Sequence, residues 1–518
     1  MILCLASFSL PVSAQQRVKL KSSDYVEGGR KNNVRYNKAI GNVHFIQGTM
    51  DIYCDSALLY KKENSLEAYG HIRIFDTQDS VTITSNKLIY AGDTRFAQLR
   101  DNVVYKDDSI TLFTDHLDYN IDNRSVYYFD GGRILNEQNV LTSKTMFYDT
   151  PNRKLTFHKK VVLVNPENTL KTDTLIYDMV TGKATTYGST TVTRPDGTTV
   201  NSPKGGIFLV HSNQTTIETG TIETTSYILK GTKLFYDQVN DVNRAVGNVY
   251  MYSKENDIII TGDQAENDGK KGITKIYGHP VLRKLFEGDT LYLTADTLIS
   301  IDSKADSVKK LLAFNHVKFY RYDLQGIADS ISYVMSDSML YMYKDPVIWN
   351  TGNQAEGDTI RILFTHNQID QMKLSDDSFI IMIDTLGNYN QLKGKIMITY
   401  FVDNKISRLS VNGNGECLYY ALDEKDNSLK GVNKIVCSSM MIRFINNHAD
   451  NMTFYTNPEG TFIPPQLMKK GDDRLSGFNW RSGDRPTLVQ VLSPNPEEKE
   501  NTPDNSAESS GETSESQQ

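Results

Sequence analysis

The sequence is short of the groups that most chemistry needs. It has four cysteines and two tryptophans in 518 residues, and its nine histidines form no HxxxH or HExxH pair. No CxxC spacing occurs, so a thiolate metal knuckle is excluded. There is no GxSxG elbow, and GKKG at 269–272 lacks the spacing and the following Ser or Thr of a phosphate loop. Asp107-Asp108 and Asp376-Asp377 lack the spacing of a calcium loop. Basic charge is not in surplus either. The formal net charge is −7 with Lys and Arg spread evenly, which argues against a nucleic-acid partner. No stretch approaches the roughly 20 apolar residues of a membrane helix. These shortages argue against an enzyme and suggest no cofactor.

What is abundant is Tyr, 29 residues of it, with Ile, Val and Thr throughout, a composition that favours strands. The start, MILCLASFSLPVSA, is a short apolar run ending in small residues at Val12 and Ala14. It predicts a signal peptide over 1–14, cut before Gln15, and hence export. Cleavage would remove Cys4 and leave Cys54, Cys417 and Cys437. Cys417 and Cys437 flank one predicted turn, but their register is a few residues off, so two free buried thiols are expected.

The strongest signal is an internal repeat. Aromatic residues end successive strands at Tyr60, Tyr90, Tyr119, Tyr148, Tyr177, Phe208 and Tyr236, in steps of 30, 29, 29, 29, 31 and 28. Apolar residues on the returning strands keep the same period: Val43, Ile72, Val103, Ile134, Val161, Val192, Ile222, Val249, Val281, Val317 and Val347. Turn clusters such as AGDT, NIDN, KDDS and NPEN separate the strands, which is hairpin chemistry and implies antiparallel neighbours. A parallel solenoid bearing a polysaccharide-cleaving site is thereby disfavoured. Each strand is interrupted near its middle, at Gly41, Gly70 and Gly132 in one set and at Ser85-Asn86, Thr114-Asp115 and Thr172-Asp173 in the other. Repeated in register, such interruptions crease the sheet into a trough.

Period-two alternation puts Val43 and Phe45, Ile72 and Ile74, Val103 and Tyr105, Val161 and Leu163, Val249 and Met251, and Val317 and Phe319 on one face. The same count extends the face to Val347 and Trp349. Two readings stay open: the core of a sandwich closed on itself, a structural scaffold, or an apolar trough open to acyl chains.

The units AIGNVHF with CDSALLY, EAYGHIRIF with TSNKLIY, and AVGNVYMY resemble the OstA-like family, to which LptA and the periplasmic domain of LptD belong. The resemblance is strict over 25–360 and looser over 407–444. It implies an all-β fold, a creased antiparallel β-jellyroll of ~30-residue hairpins, with lipopolysaccharide as ligand. Its lipid A acyl chains would lie in the groove lined by the twelve residues from Val43 to Phe319. It further implies a periplasmic location and partners of the same kind, or an outer-membrane barrel, joined through edge strands. The chain departs from the family in its length and in lacking a run of barrel strands after 444. The expected organisation is a regular β-jellyroll over 15–360, a less regular β module over 361–482 and a disordered acidic tail over 483–518, with Trp480 anchoring the last strands.

Overall fold

The structure is a computed structural model and describes residues 16–493, apart from Asp79, Glu287, 303–308, Asn367, Asn404, 424–425, Asn427 and 446–447. The expected signal peptide and most of the acidic tail lie outside the described residues. The fold is all-β, and the pairing described is antiparallel throughout. Packing divides the chain into two compact units. The first runs to Thr225 and includes Lys230–Val239; the second comprises Ser226–Leu229 and everything from Asn240. This division differs from the one read from repeat regularity. Pairing runs on across 360/361, where Met339–Tyr343 pairs with Thr359–Thr365 and Asn353–Glu356 with Gln368–Ile383.

Within the first unit the strands form an up-and-down ladder. Val34–Gln47 pairs with Met50–Tyr60, which pairs with Ser65–Asp76, and the order continues through Val81–Ala91, Phe96–Lys106 and Thr111–Asn120. Further on, some strands split into two halves that keep the same neighbour: Ser125–Tyr128 and Gly132–Asn136 both pair with Thr111–Asn120. Gly132 therefore opens a half-strand, and the break falls just before it, where Gly131 has φ +95°.

The mid-strand interruptions are β-bulges. Ile40 faces Ser56 and Val43 faces Cys54, so two residues, Gly41 and Asn42, stand opposite Asp55 alone. Both are left-handed, at φ +76° and +46°. The same slip occurs at Gly70-His71, Asp101-Asn102 and Lys159-Lys160, and in the second unit at Gly247-Asn248, Asn315-His316 and Asp376-Asp377. An extra residue bends its strand, and bulges in register align the bends into one crease.

An Asp on the facing strand serves this crease. Asp55, Asp115, Asp173, Asp263 and Asp329 each face a bulge pair. The Asn102 backbone N–H donates to Asp115 Oδ1 at 3.3 Å, and His71 Nδ1 lies 2.7 Å from Asp55 Oδ2. His279 and His316 sit in the same left-handed position and contact Asp263 and Asp296, each at 3.0 Å. Gly70 shows why glycine recurs here. At φ +76° an added Cβ would meet Asp55 Oδ2 at 2.2 Å.

The crease divides each strand between two arms, whose inner faces bury the core. On one arm of the first unit, cross-strand pairing links Leu59, Leu66, Tyr90, Ala97, Tyr119, Val126, Tyr148, Leu155 and Tyr177 into one row. The 30-residue period thus puts a Tyr on every second strand and a smaller residue between, so large and small alternate along the row. Tyr60 is the exception: Leu59 takes the inward place, and the Tyr60 hydroxyl donates to Glu67 Oε1 at 3.2 Å.

Two expectations need correction. Val347 pairs with Ile327, whereas Val317 pairs with Ala328, so Val347 and Trp349 face the opposite side of the sheet from Val317 and Phe319. The step from Val317 to Val347 is an ordinary 30 residues, but Ser330 faces Tyr343 and Ile327 faces Val347, so three residues, Lys344 to Pro346, stand opposite Ala328 and Asp329, which a simple count does not reveal. The disorder expected from 483 is also not found over 483–493. Leu488–Leu492 is a short helix whose capping box joins Thr487 and Gln490, and its Val491 is fully buried.

Candidate functional site

The residues expected to line a groove do share the inner faces. In the first unit one row runs Phe45, Ile52, Ile74, Ile83, Tyr105, Leu112, Ile134, Leu141, Leu163, Leu170, Val192, Val200, Ile222. In the second unit Met251, Ile260, Leu282, Leu293 and Phe319 are linked in the same way. Of the twelve, Val43, Phe45, Ile72, Ile74, Val103, Tyr105, Val161, Val249, Val317 and Phe319 are buried, and Leu163 and Met251 are half-buried. Near the N-terminus the space between the arms is filled. Phe45, Tyr90, Tyr105, Tyr119, Tyr128 and Tyr148 are each at most 2% exposed. Most of the twelve therefore form packed core.

Open apolar space occurs elsewhere. In the first unit a cavity of about 90 Å³ is lined by Leu163, Leu170, Val192, Val200, Phe208, Ile217, Ile222 and Leu234, with Arg194 and Glu167 among its polar residues. Arg194 lies over the Tyr236 ring at 4.0 Å. In the second unit a cavity of about 80 Å³ is lined by Ile348, Ala355, Ile362, Met372, Ile380, Met382, Phe401, Ile406, Leu409 and Phe444. Each is several times the roughly 10–15 Å³ that one water-sized group needs. Of the twelve sequence-derived residues, Leu163 alone is among those lining either cavity. The missed signal was alternation beyond the regular repeats: Ile380 and Met382, and Thr399 and Phe401, obey period two although the ~30-residue spacing has lapsed.

The polar chemistry of the interior serves packing. Burial pushes the Cys54 and Cys417 thiols up to about 12, which keeps both protonated and weakly nucleophilic at neutral pH. Cys417 faces Ile435 while Cys437 faces Gly415, and the three thiols described are free. The Tyr90 hydroxyl donates to Gln47 Oε1 at 2.5 Å, and Tyr128 shares a hydrogen bond with Ser143 at 2.7 Å. Burial raises the Tyr128 phenol to about 12. The crease His–Asp contacts lie on the exposed ridge, with the His71 side chain 90% exposed.

The sequence model of the OstA-like protein family matches residues 15–173. That stretch is OstA-like. The matched OstA-like segment contains the bulges at Gly41-Asn42, Gly70-His71 and Asp101-Asn102 and the facing Asp55 and Asp115. Among solved structures, LptH matches at 19% identity, over 23% of this chain and 82% of its own, with a TM-score of 0.19. It is described as the LptA-homologous periplasmic component of the lipopolysaccharide transport device of Pseudomonas aeruginosa. Among curated proteins none matches.

Proposed function

We propose that the chain is a periplasmic lipopolysaccharide-binding protein, exported by its N-terminal leader, which helps carry lipopolysaccharide towards the outer membrane. The observation that carries this reading is the pair of apolar cavities between creased arms, in a chain whose N-terminal third is OstA-like. Acyl chains suit such spaces because each buried methylene is worth about 0.8 kcal/mol and no directional contact is required. Sheet edges supply the partner surfaces. Among the described residues, Tyr25–Lys31 pairs only with Val34–Gln47, and Tyr25 is 71% exposed. Glu459–Ile463 likewise pairs only with Leu429–Ile445. Edges of this kind accept a strand from another β-jellyroll or from a barrel protein.

The filled N-terminal interior favours a second reading, a scaffold without lipid cargo. Native mass spectrometry with lipid extraction, on protein purified from its own envelope, separates the two. Ala184 lines the first cavity and Ala355 the second, so Ala184→Leu and Ala355→Leu fill space without burying charge. Co-purifying lipid A species that diminish in the filled variants support the carrier. A lipid-free wild type isolated from that envelope sinks it in favour of the scaffold.

A further inference from the structure

In the second unit one arm is covered on its outside by the chain's own C-terminal segment. The crease at Asp376-Asp377 divides Gln368–Ile383 into a first-arm part, 368–375, and a second-arm part, 378–383. On the second arm, register links Gln325, Trp349, Gln354, Ile381, Gln391 and Leu418 into one row. Ile348, Ala355 and Ile380, which line the cavity, have the opposite parity, so this row faces outward; of its members Gln354 alone also borders the cavity. Every member is nevertheless at most 2% exposed.

The cover is the segment 473–491, and three glutamines bind it. Gln391 donates to Asp473 O at 2.8 Å and accepts from Leu475 N at 2.7 Å. Gln354 donates to Asn479 O at 2.7 Å and accepts from Arg481 N at 2.8 Å. Gln325 accepts from Arg485 Nε at 2.8 Å. A primary amide carries donors and an acceptor together, so one side chain can satisfy both backbone groups of an irregular strap. Phe478 and Trp480 pack on Tyr389 at centroid distances of 5.5 and 5.3 Å.

The first arm has no such strap among the described residues, and its far ends carry a second set of bulges. Register slips at Leu363/Phe364, Tyr400/Phe401 and Arg443/Phe444. The strapped arm keeps unbroken register from Ser378 to Ile383 against Gly394 to Tyr389, and its far-end slip lies at Ala421/Leu422, away from the residues that line the cavity. Phe401 and Phe444, at two of these slips, line the cavity.

We infer that this cavity opens from one side only. The strapped arm is its fixed wall, and the lip of the other arm, carrying Phe401 and Phe444, swings out to admit an acyl chain. The inference rests on the acyl-chain reading above for its ligand, but the asymmetry is a property of the protein alone. Hydrogen exchange by mass spectrometry on the full chain tests it, with decanoate as probe. Without decanoate, amides of 396–402 and 406–411 are expected to exchange at least about tenfold faster than those of 378–383 and 389–394. Decanoate is expected to slow the first set only. Gln391→Ala, and separately Gln325→Ala, is expected to narrow the gap by releasing the strap. Equal exchange in the two arms, or a decanoate effect on the strapped arm, overturns the inference. Asymmetry that persists while decanoate changes nothing in the second unit supports the fixed wall and overturns the acyl-chain reading of this cavity.

Discussion

At the scale of single residues, the crease makes glycine positions unequal. Gly70 and Gly131 both have positive φ, +76° and +95°, yet an added Cβ meets Asp55 at 2.2 Å at Gly70 and nothing within 4 Å at Gly131. Gly131→Ala therefore carries the left-handed strain alone, about 1 kcal/mol. Gly70→Ala must also turn Asp55 away from His71, for a total of about 2 kcal/mol. Urea denaturation of both variants checks the order, and equal midpoints would show that Asp55 relaxes freely. This is also where the sequence is most legible. The G-N of AIGNVHF and the Asp of CDSALLY are the two sides of one bulge, and period-two counting put Val43 through Leu163 on one face because each bulge is followed by a fresh inward residue. The space between the arms was not legible. Whether Tyr90 and Tyr119 fill it or leave it open depends on the opposite arm, which no single strand records.

At the scale of elements, the strap was the least visible feature. The glutamines that hold it, Gln325, Gln354 and Gln391, belong to no sequence motif, and their partners lie 82 to 160 residues away. Trp480 alone hinted at an anchor. The strap also covers Glu356, whose carboxyl is pushed above the ordinary carboxylate range by burial, with the Arg481 charge and the Gln354 hydrogen bond opposing the rise. A carboxyl raised in the folded state contributes stability below its unfolded pKa and loses that contribution as pH rises through the folded value. Glu356 thus costs the second unit stability at neutral pH and little in acid. Glu356→Gln is expected to raise the melting temperature at pH 7 and to leave it nearly unchanged at pH 4. A shift of the same size at both pH values would assign the effect to packing.

At the scale of the whole molecule, each unit holds a cavity of its own, about 90 Å³ in the first and about 80 Å³ in the second. A chain with these two apolar spaces, one described in each unit, differs from a single deep pocket in stoichiometry and in strength. Burying on the order of five methylenes per chain is worth about 4 kcal/mol, which corresponds to dissociation constants near millimolar. Sites that weak would release an acyl chain readily, as the carrier role proposed above requires. Decanoate titrated to millimolar concentration and followed by ligand-observed NMR is therefore expected to saturate at two molecules per chain. Ala184→Leu and Ala355→Leu are each expected to leave one, and the double variant none. If one substitution removes both molecules, the cavities do not act as separate sites. If the double variant still binds two, the acyl chains lie outside the creased arms.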